Sequence, residues 1–323
     1  QQGIQVSVRP FFNDKYLSKI YAGENPKSEI MKAYIRRFFS LLKVFHYDCI
    51  IIEKELFPYF PAWFEWIFKK FKVKFLVDYD DAIFHNYDNH SNLFIRKYLG
   101  RKIDRVMEYS SCVIAGNSYL ADRAKKAGAQ RVEVIPTVID LERYKNKKQE
   151  QLVQKPIIGW IGSPSTFKYV SQIEDVLKKL VTDFEVNIQI IGSGKNRLNF
   201  KKNINYIKWE ENSEVDDILK FNIGIMPLEN TDWEKGKCSY KLIQYMGCSK
   251  PVVSSNIGMN KEVIKEGENG FLVNSNQEWY EKLSYYILNP IIASKHGSNG
   301  FLTVKQNFNL EMEADKLISI LKS

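Results

Sequence analysis

Gly236-Lys237-Cys238-Ser239 stands between an apolar run, 223–228, and a helix-periodic run, 240–246. A chain that leaves a strand through such a turn and enters a helix aims unpaired backbone N–H groups and a positive helix end at whatever lies in front of it, which suits an anion. Lys237 adds a cation in the turn, and Lys241 falls four residues on, on the same helix face. Gln244 lies almost a turn further along and can donate to or accept from a hydroxyl such as that of a ribose. Gly236, Lys237, Cys238, Ser239, Tyr240, Lys241 and Gln244 together could hold a diphosphate by backbone donors and charge, with no metal. An ordinary helix with surface lysines is the alternative.

GWIGSPSTFKYV (159–170) is a second strand-to-loop-to-helix turn. Gly162 permits close backbone approach, Ser163, Ser165 and Thr166 supply hydroxyls, and Lys168 lies about one turn into the helix; a plain serine-threonine cap explains the same residues. Asp78-Tyr79-Asp80, followed by Asp81, places carboxylates after a strand. They fit three roles: a divalent cation, orientation of a substrate hydroxyl, or structural hydrogen bonding. GSGKNR (192–197) lacks both the Walker spacing and a full GxGxxG, so a turn after a strand accounts for it better. His85 has no accompanying GxSxG elbow to make it part of a serine triad.

The elements that must position these residues alternate. Residues 4–10 and 47–57 read as strands, with a helix over 28–45 between them. Strand 74–85, helix 92–109, strand 112–117, helix 118–128 and strand 131–140 follow, then a polar linker over 141–155. The second half repeats the scheme: strands at 156–162, 185–194, 204–209 and 223–228, then helix, short apolar strand, glycine turn, helix and a last strand within 222–273, and only helices after residue 273. Short apolar strands alternating with helices argue for parallel sheets covered on both faces. Ligands of such sheets gather beyond the carboxyl ends of the strands, where strand order reverses.

A chain of 323 residues suggests two domains. No apolar stretch approaches the ~20 residues that span a bilayer. The net charge of +9 is uneven: residues 1–150 hold 26 Lys and Arg against 18 Asp and Glu, and residues 151–323 hold 21 against 20. Much of the excess lies beside aromatics in 34–45 and 63–75, at helical intervals. Such segments suit an anionic membrane surface, or a core-facing helix with a solvated basic edge. No recognition motif supports nucleic acid as a partner. Cys49, Cys112, Cys238 and Cys248 show no CxxC spacing and read as thiols in a reducing cytoplasm.

IGWIGSPST (158–166), GIMPL (224–228), GKCSYKLIQYM (236–246), KPVVSSNIG (250–258) and ENGFLV (268–273), with AGNSYLAD (115–122) and VIPTVID (134–140), resemble in order and spacing the retaining GT-B glycosyltransferases of the family 4 type, glycosyl transferases group 1. The resemblance implies an α/β protein of two Rossmann-like domains facing across a cleft. The acceptor-side domain would occupy 1–145 and the nucleotide-sugar-binding domain 151–305, with a helix over 306–323 packing back on the first. It also implies a strand and glycine-rich loop ahead of residue 4, about 30 residues by the size of a βα unit, so the first domain reads as lacking its first strand. Two glutamates separated by seven residues commonly flank the family's donor site, and the matching positions are Gly236 and Gln244. The family's diphosphate-binding arginine and lysine fall on Ser163 and Lys168, and a histidine of its first domain falls near Asp80.

The implied activity is retaining transfer of a sugar from a nucleotide sugar to a hydroxyl of a glycan or lipid-linked acceptor, in envelope polysaccharide synthesis. No metal or other cofactor is implied, and the implied location is the cytoplasm, with the inner face of the cell membrane suited to the basic segments. Lys168 and Lys237 would meet the departing diphosphate, while Asp80 and Asp81 orient the acceptor. A nucleotide-sugar epimerase on the same fold and a non-catalytic nucleotide-sugar-binding scaffold are the alternatives.

Overall fold

The computed structural model describes residues 3–22, 24–144 and 155–323, so most of the expected linker lies outside them. The chain divides into two compact units. The first consists of residues 1–79, 83–114 and 122–133; the second takes in 134–323 together with two short segments, 80–82 and 115–121.

As far as residue 134 the chain carries helices α1 (Asp14–Ala22) and α2 (Lys27–Leu41), strand β1 (Ile50–Glu53), α3 (Trp63–Lys70), β2 (Phe75–Tyr79), α4 (His85–Asp88), α5 (Leu93–Leu99), α6 (Lys102–Tyr109), β3 (Cys112–Ala115), α7 (Ser118–Lys126) and β4 (Val132–Val134), of which Ala115, the start of α7 and Val134 belong to the second unit. The first sheet runs β1-β2-β3-β4, with β1 parallel to β2. Phe75, Leu76, Val77 and Tyr79 of β2 are fully buried, as a strand covered on both faces requires. Beyond β1, the Lys102 ammonium is buried and answered by the Glu55 carboxylate, the Phe57 carbonyl and the Tyr87 hydroxyl.

Three expectations are corrected here. Residues 4–10 form no strand: Val6 and Val8 stand 79% and 81% exposed, with no neighbouring strand to cover them. The helix expected over 92–109 is two, α5 and α6, because the backbone leaves the helical region at Arg101, φ −106° and ψ 14°, just after Gly100. Strand 131–140 shrinks to β4; the bond from the Ile135 N–H to the Ala115 carbonyl is followed by Pro136, which has no N–H to donate.

The second unit continues with β5 (Ile157–Ile161), α8 (Phe167–Ser171), α9 (Glu174–Phe184), β6 (Asn187–Ile191), β7 (Ile204–Ile207), α10 (Glu214–Leu219), β8 (Ile223–Met226), α11 (Asp232–Lys235), α12 (Tyr240–Gly247), β9 (Val252–Ser255), α13 (Asn260–Val263), β10 (Gly270–Val273), α14 (Asn276–Leu288), α15 (Pro290–Asn307) and α16 (Leu310–Lys322). Its six strands lie in the order β10-β9-β8-β5-β6-β7, all parallel. Strand order therefore reverses between β5 and β8. The core joins Trp160, Ile188, Ile190, Ile225 and Val253 of the sheet to Leu177, Leu180 and Leu283 of α9 and α14, while α12 packs with α15. The start of α16 is bridged to the segment after β4, Asn309 to Ile139.

Strands β5 and β8 pair only at Ile158 with Ile223 and Gly159 with Gly224. Both glycines are packed over: a Cβ on Gly224 would lie 2.5 Å from the Tyr245 ring, and one on Gly159 would lie 2.2 Å from Phe221. Past this point Tyr245 of α12 fills the split. Its hydroxyl accepts from the Ile161 N–H at 3.0 Å and donates to the Ile225 carbonyl at 3.3 Å, and burial pushes its pKa up. Tyr245→Phe leaves both backbone groups enclosed without a partner, at a cost of about 1–3 kcal/mol. Chemical denaturation should register that loss; an unchanged midpoint would mean that the two strands close up by themselves.

Candidate functional site

At the β5–β8 reversal the loops after these strands come together with the start of α12: Lys168 pairs with Glu229, and Lys241 lies over the Trp160 ring. Ser239 caps α12 in the left-handed region, φ 53°, yet its hydroxyl does not cap. It donates instead to Asn260 Oδ1 at 2.7 Å, and Asn260 Nδ2 donates in turn to Ser254 Oγ and the Ser255 carbonyl. Among the described residues no acceptor reaches the backbone N–H groups of Ser239, Tyr240 or Lys241. These are the unpaired donors that the sequence places before an anion.

Gly236 is buried, and a Cβ on it would stand 2.4 Å from Ala82 Cβ and 2.7 Å from Ala82 N. The side-chain space at this position is thus filled by residues 80–82. Three further contacts hold the turn: Asn117 Nδ2 donates to the Gly236 and Lys237 carbonyls at 3.0 and 3.2 Å, the Cys238 thiol meets the Asp80 carbonyl at 3.0 Å, and Lys237 Nζ lies 3.5 Å from Asp81 Oδ1. Asp81 and Lys237 are therefore brought together, and Cys238 is turned inward.

The β5 loop closes on itself. The Ser163 N–H and Oγ both meet Thr166 Oγ1, Ser163 Oγ meets Ser165 Oγ at 2.8 Å, and Thr166 Oγ1 donates to the Ser163 carbonyl. Gly162 lies so close to Trp160 that a Cβ would stand 2.4 Å from the indole ring. Lys168 pairs with Glu229 at 2.9 Å, and Tyr169 and Thr231 both donate to the buried Glu234 on α11. The short helix α11 falls where the sequence reads as loop.

Lys241 differs from the other two lysines. Its ammonium lies 4.9 Å from the centroid of Trp160 and has no carboxylate partner among the described residues. Burial and then the neighbouring Lys237 push its pKa down to about 7. Trp160 Nε1 is itself enclosed with no acceptor. Gln244, 2% exposed, donates through Nε2 to Glu214 Oε1 at 2.7 Å, and Tyr240 stands half-exposed on the rim. Among the described residues no group of three His, Cys, Asp or Glu side chains is disposed to share a metal ion.

Asn117, Glu214, Glu229 and Glu234 escaped the sequence reading. Asn117 does fall within AGNSYLAD, and Glu229 directly follows GIMPL. Nothing local links Glu214 to a helix 26 positions later.

Residues 155–289 match the family model described as glycosyl transferases group 1. A trehalose synthase of Pyrococcus horikoshii is 22% identical over 273 residues, covering 79% of this chain and 60% of that protein. An uncharacterized glycosyltransferase of Methanocaldococcus jannaschii is 25% identical over 137 residues, 39% of this chain and 38% of its own. The chain thus spans less than two thirds of the curated relatives it matches. The structure of Anabaena HepE in complex with UDP and glucose superposes with a TM-score of 0.71 at 16% identity, over 89% of this chain and 81% of that one. This likeness identifies the fold as GT-B.

An anion placed at the α12 start favours the charged form of Lys241, so binding takes up a proton from about pH 7 up to the raised pKa of the bound state. Anion affinity should consequently fall as pH rises through 7, by up to about tenfold per unit for one linked proton. Titration calorimetry with UDP in buffers of different ionisation enthalpy reads that uptake directly. Lys241→Met should remove the part of the pH slope that belongs to the protein; an identical slope in both proteins would show that Lys241 does not titrate with binding.

Proposed function

We propose that the chain is a retaining glycosyltransferase that moves a sugar from a nucleotide-sugar donor to a hydroxyl of a glycan or lipid-linked acceptor. The observation that carries this reading is the convergence, at the β5–β8 reversal, of three unanswered backbone N–H groups and one lysine without a carboxylate. The family match to group 1 glycosyltransferases and the UDP held by the similar HepE structure support a diphosphate as the anion.

The chemistry follows from charge. As the glycosidic oxygen leaves the anomeric carbon, negative charge grows on the diphosphate, and donors fixed in advance stabilise it without reorganising. The α12 N–H groups and Lys241 would meet that charge first. Lys237 and Lys168 would add to it by exchanging Asp81 and Glu229 for phosphate oxygens. Asp80 and Asp81, which meet the turn before α12, would orient the attacking hydroxyl. Retention of configuration is supported by the family resemblance, as is a role in envelope polysaccharide synthesis in the cytoplasm.

Gly236 favours one rival specifically, a binding protein without turnover, because Ala82 occupies the space of the family's first glutamate. Incubation with nucleotide sugars and candidate acceptors separates the two: acceptor-dependent release of nucleotide supports transfer, and binding without release supports the rival. Lys237→Ala should raise the KM for donor about tenfold, the effect of one lost charge-assisted hydrogen bond of ~1.4 kcal/mol. Unchanged donor kinetics would remove Lys237 from the site.

Peripheral contact with an anionic membrane is supported by exposed aromatics beside lysines. Trp63 and Trp66 of α3 are 61% and 48% exposed, and Lys70 lies over the Trp66 ring. Among the described residues no helix is long and apolar enough to cross a membrane. Trp66→Ser with Lys70→Glu should reduce sedimentation with vesicles containing phosphatidylglycerol; equal sedimentation would discard this face.

A further inference from the structure

A cavity of about 380 Å³ opens in the first unit where the end of α5, the start of α6 and the last turn of α7 meet. Its charged lining sets Arg96, Arg101, Arg123 and Lys126 against Asp88 and Asp104. Both acids are already engaged. Asp104 accepts from Arg123 Nε at 2.7 Å and from Nη2 at 3.1 Å, while Asp88 meets Arg123 Nη2 at 3.1 Å and His85 Nδ1 at 2.7 Å. These bonds fix the Arg123 guanidinium, which also lies 4.6 Å from the centroid of the Phe84 ring. Among the described residues its Nη1 has no acceptor.

The remaining cations are answered less. Arg101 Nε stays 3.9 Å from Asp104 Oδ2, and among the described residues no acceptor meets the side chain of Arg96 or of Lys126. Four cations against two engaged carboxylates leave the cavity net positive, and guanidinium groups match phosphate oxygens in geometry as well as charge. The neighbouring surface is apolar. Leu93, Phe94 and Tyr98 of α5 are 68%, 69% and 60% exposed, and the Phe94 and Tyr98 rings lie 4.4 Å apart. Leu93 stands three and four residues before Arg96 and Lys97, so α5 presents apolar and basic side chains next to one another.

We propose that this cavity is a headgroup site for one anionic phospholipid. The phosphate diester is held by Arg96, Lys126 and the free edge of Arg123, and the acyl chains run along Leu93, Phe94 and Tyr98. A cationic space alone suits any phosphate; the exposed apolar side chains beside it favour a phosphate that carries hydrocarbon. The site shares no residue with the donor crevice or with the Trp63 and Trp66 face of α3, so it stands or falls apart from both readings. It also differs in kind from that face, since a cavity with a fixed guanidinium binds one headgroup, whereas an exposed basic helix is drawn to any anionic surface.

The test titrates dihexanoylphosphatidylglycerol, dissolved as monomers, into the whole chain by calorimetry, beside dihexanoylphosphatidylcholine and glycerol 3-phosphate. Wild type should bind the phosphatidylglycerol at least about tenfold more tightly than the choline lipid, whose cation the cavity repels, and than the soluble phosphate, which has no hydrocarbon. Arg96→Gln with Lys126→Gln removes two side chains that bond to nothing else, so the fold is kept, and should weaken phosphatidylglycerol about tenfold or more. Trp66→Ser with Lys70→Glu should leave this binding unchanged. Wild type that binds no phosphatidylglycerol overturns the proposal, and so does an Arg96→Gln, Lys126→Gln protein that binds it undiminished. Equal affinity for glycerol 3-phosphate overturns the lipid in favour of a soluble phosphate ester, and equal affinity for the choline lipid reduces the site to apolar contact.

Discussion

Two parallel strands of the second unit separate after a single pair of glycines, and one phenol holds the separation open. The Tyr245 hydroxyl satisfies the backbone donor of β5 and the backbone acceptor of β8, which face each other too far apart to pair directly. A buried, unanswered N–H or C=O costs far more than a made hydrogen bond gains, so the split is stable only with such a plug. Because the plug belongs to α12, it also sets the height and rotation of that helix. Its N-terminus, Lys241 and Gln244 are all fixed relative to the strand ends by one side chain. Gly159 and Gly224 are the steric counterpart, since any Cβ would push Phe221 or Tyr245 out of the gap.

The turn before α12 is shaped by exclusion. Ala82 fills the side-chain space of Gly236, and Asn117 holds the same peptide through two carbonyls. A carboxylate at 236 and the 80–82 loop in this position are mutually exclusive. What remains at the helix start is cationic. Burial and then the neighbouring Lys237 disfavour the charged form of Lys241, which sits over an aromatic face with no carboxylate partner among the described residues. A bound anion would favour that charged form.

Much of this was legible from the sequence because it is local. The strand-turn-helix pattern around 223–246 depends on neighbouring residues, and the structure places β8, α12, β9 and β10 where the pattern puts them. The β5 loop was legible as a hydroxyl-rich turn, but not as a cap: Thr166 makes no side-chain cap of α8, and the Ser163, Ser165 and Thr166 hydroxyls bond one another instead. Pairings across long separations were not legible. Lys237 with Asp81 and Gln244 with Glu214 join segments whose meeting depends on the whole sheet order, and no spacing rule reaches across a fold. Residues 4–10 failed for a related reason: alternation describes a strand's faces, but only a partner strand makes it one.

The three lysines near the crevice look equivalent in sequence and are not equivalent in the fold. Lys168 already has Glu229 and Lys237 already has Asp81, so an incoming anion must compete with a carboxylate at each. Lys241 offers charge without competition, and the adjacent backbone donors are equally unoccupied. An anion would therefore engage α12 first, and only then draw the other two cations from their partners. Each such exchange would leave a carboxylate, Asp81 or Glu229, to its remaining neighbours, so the three lysines differ in what an incoming anion has to displace.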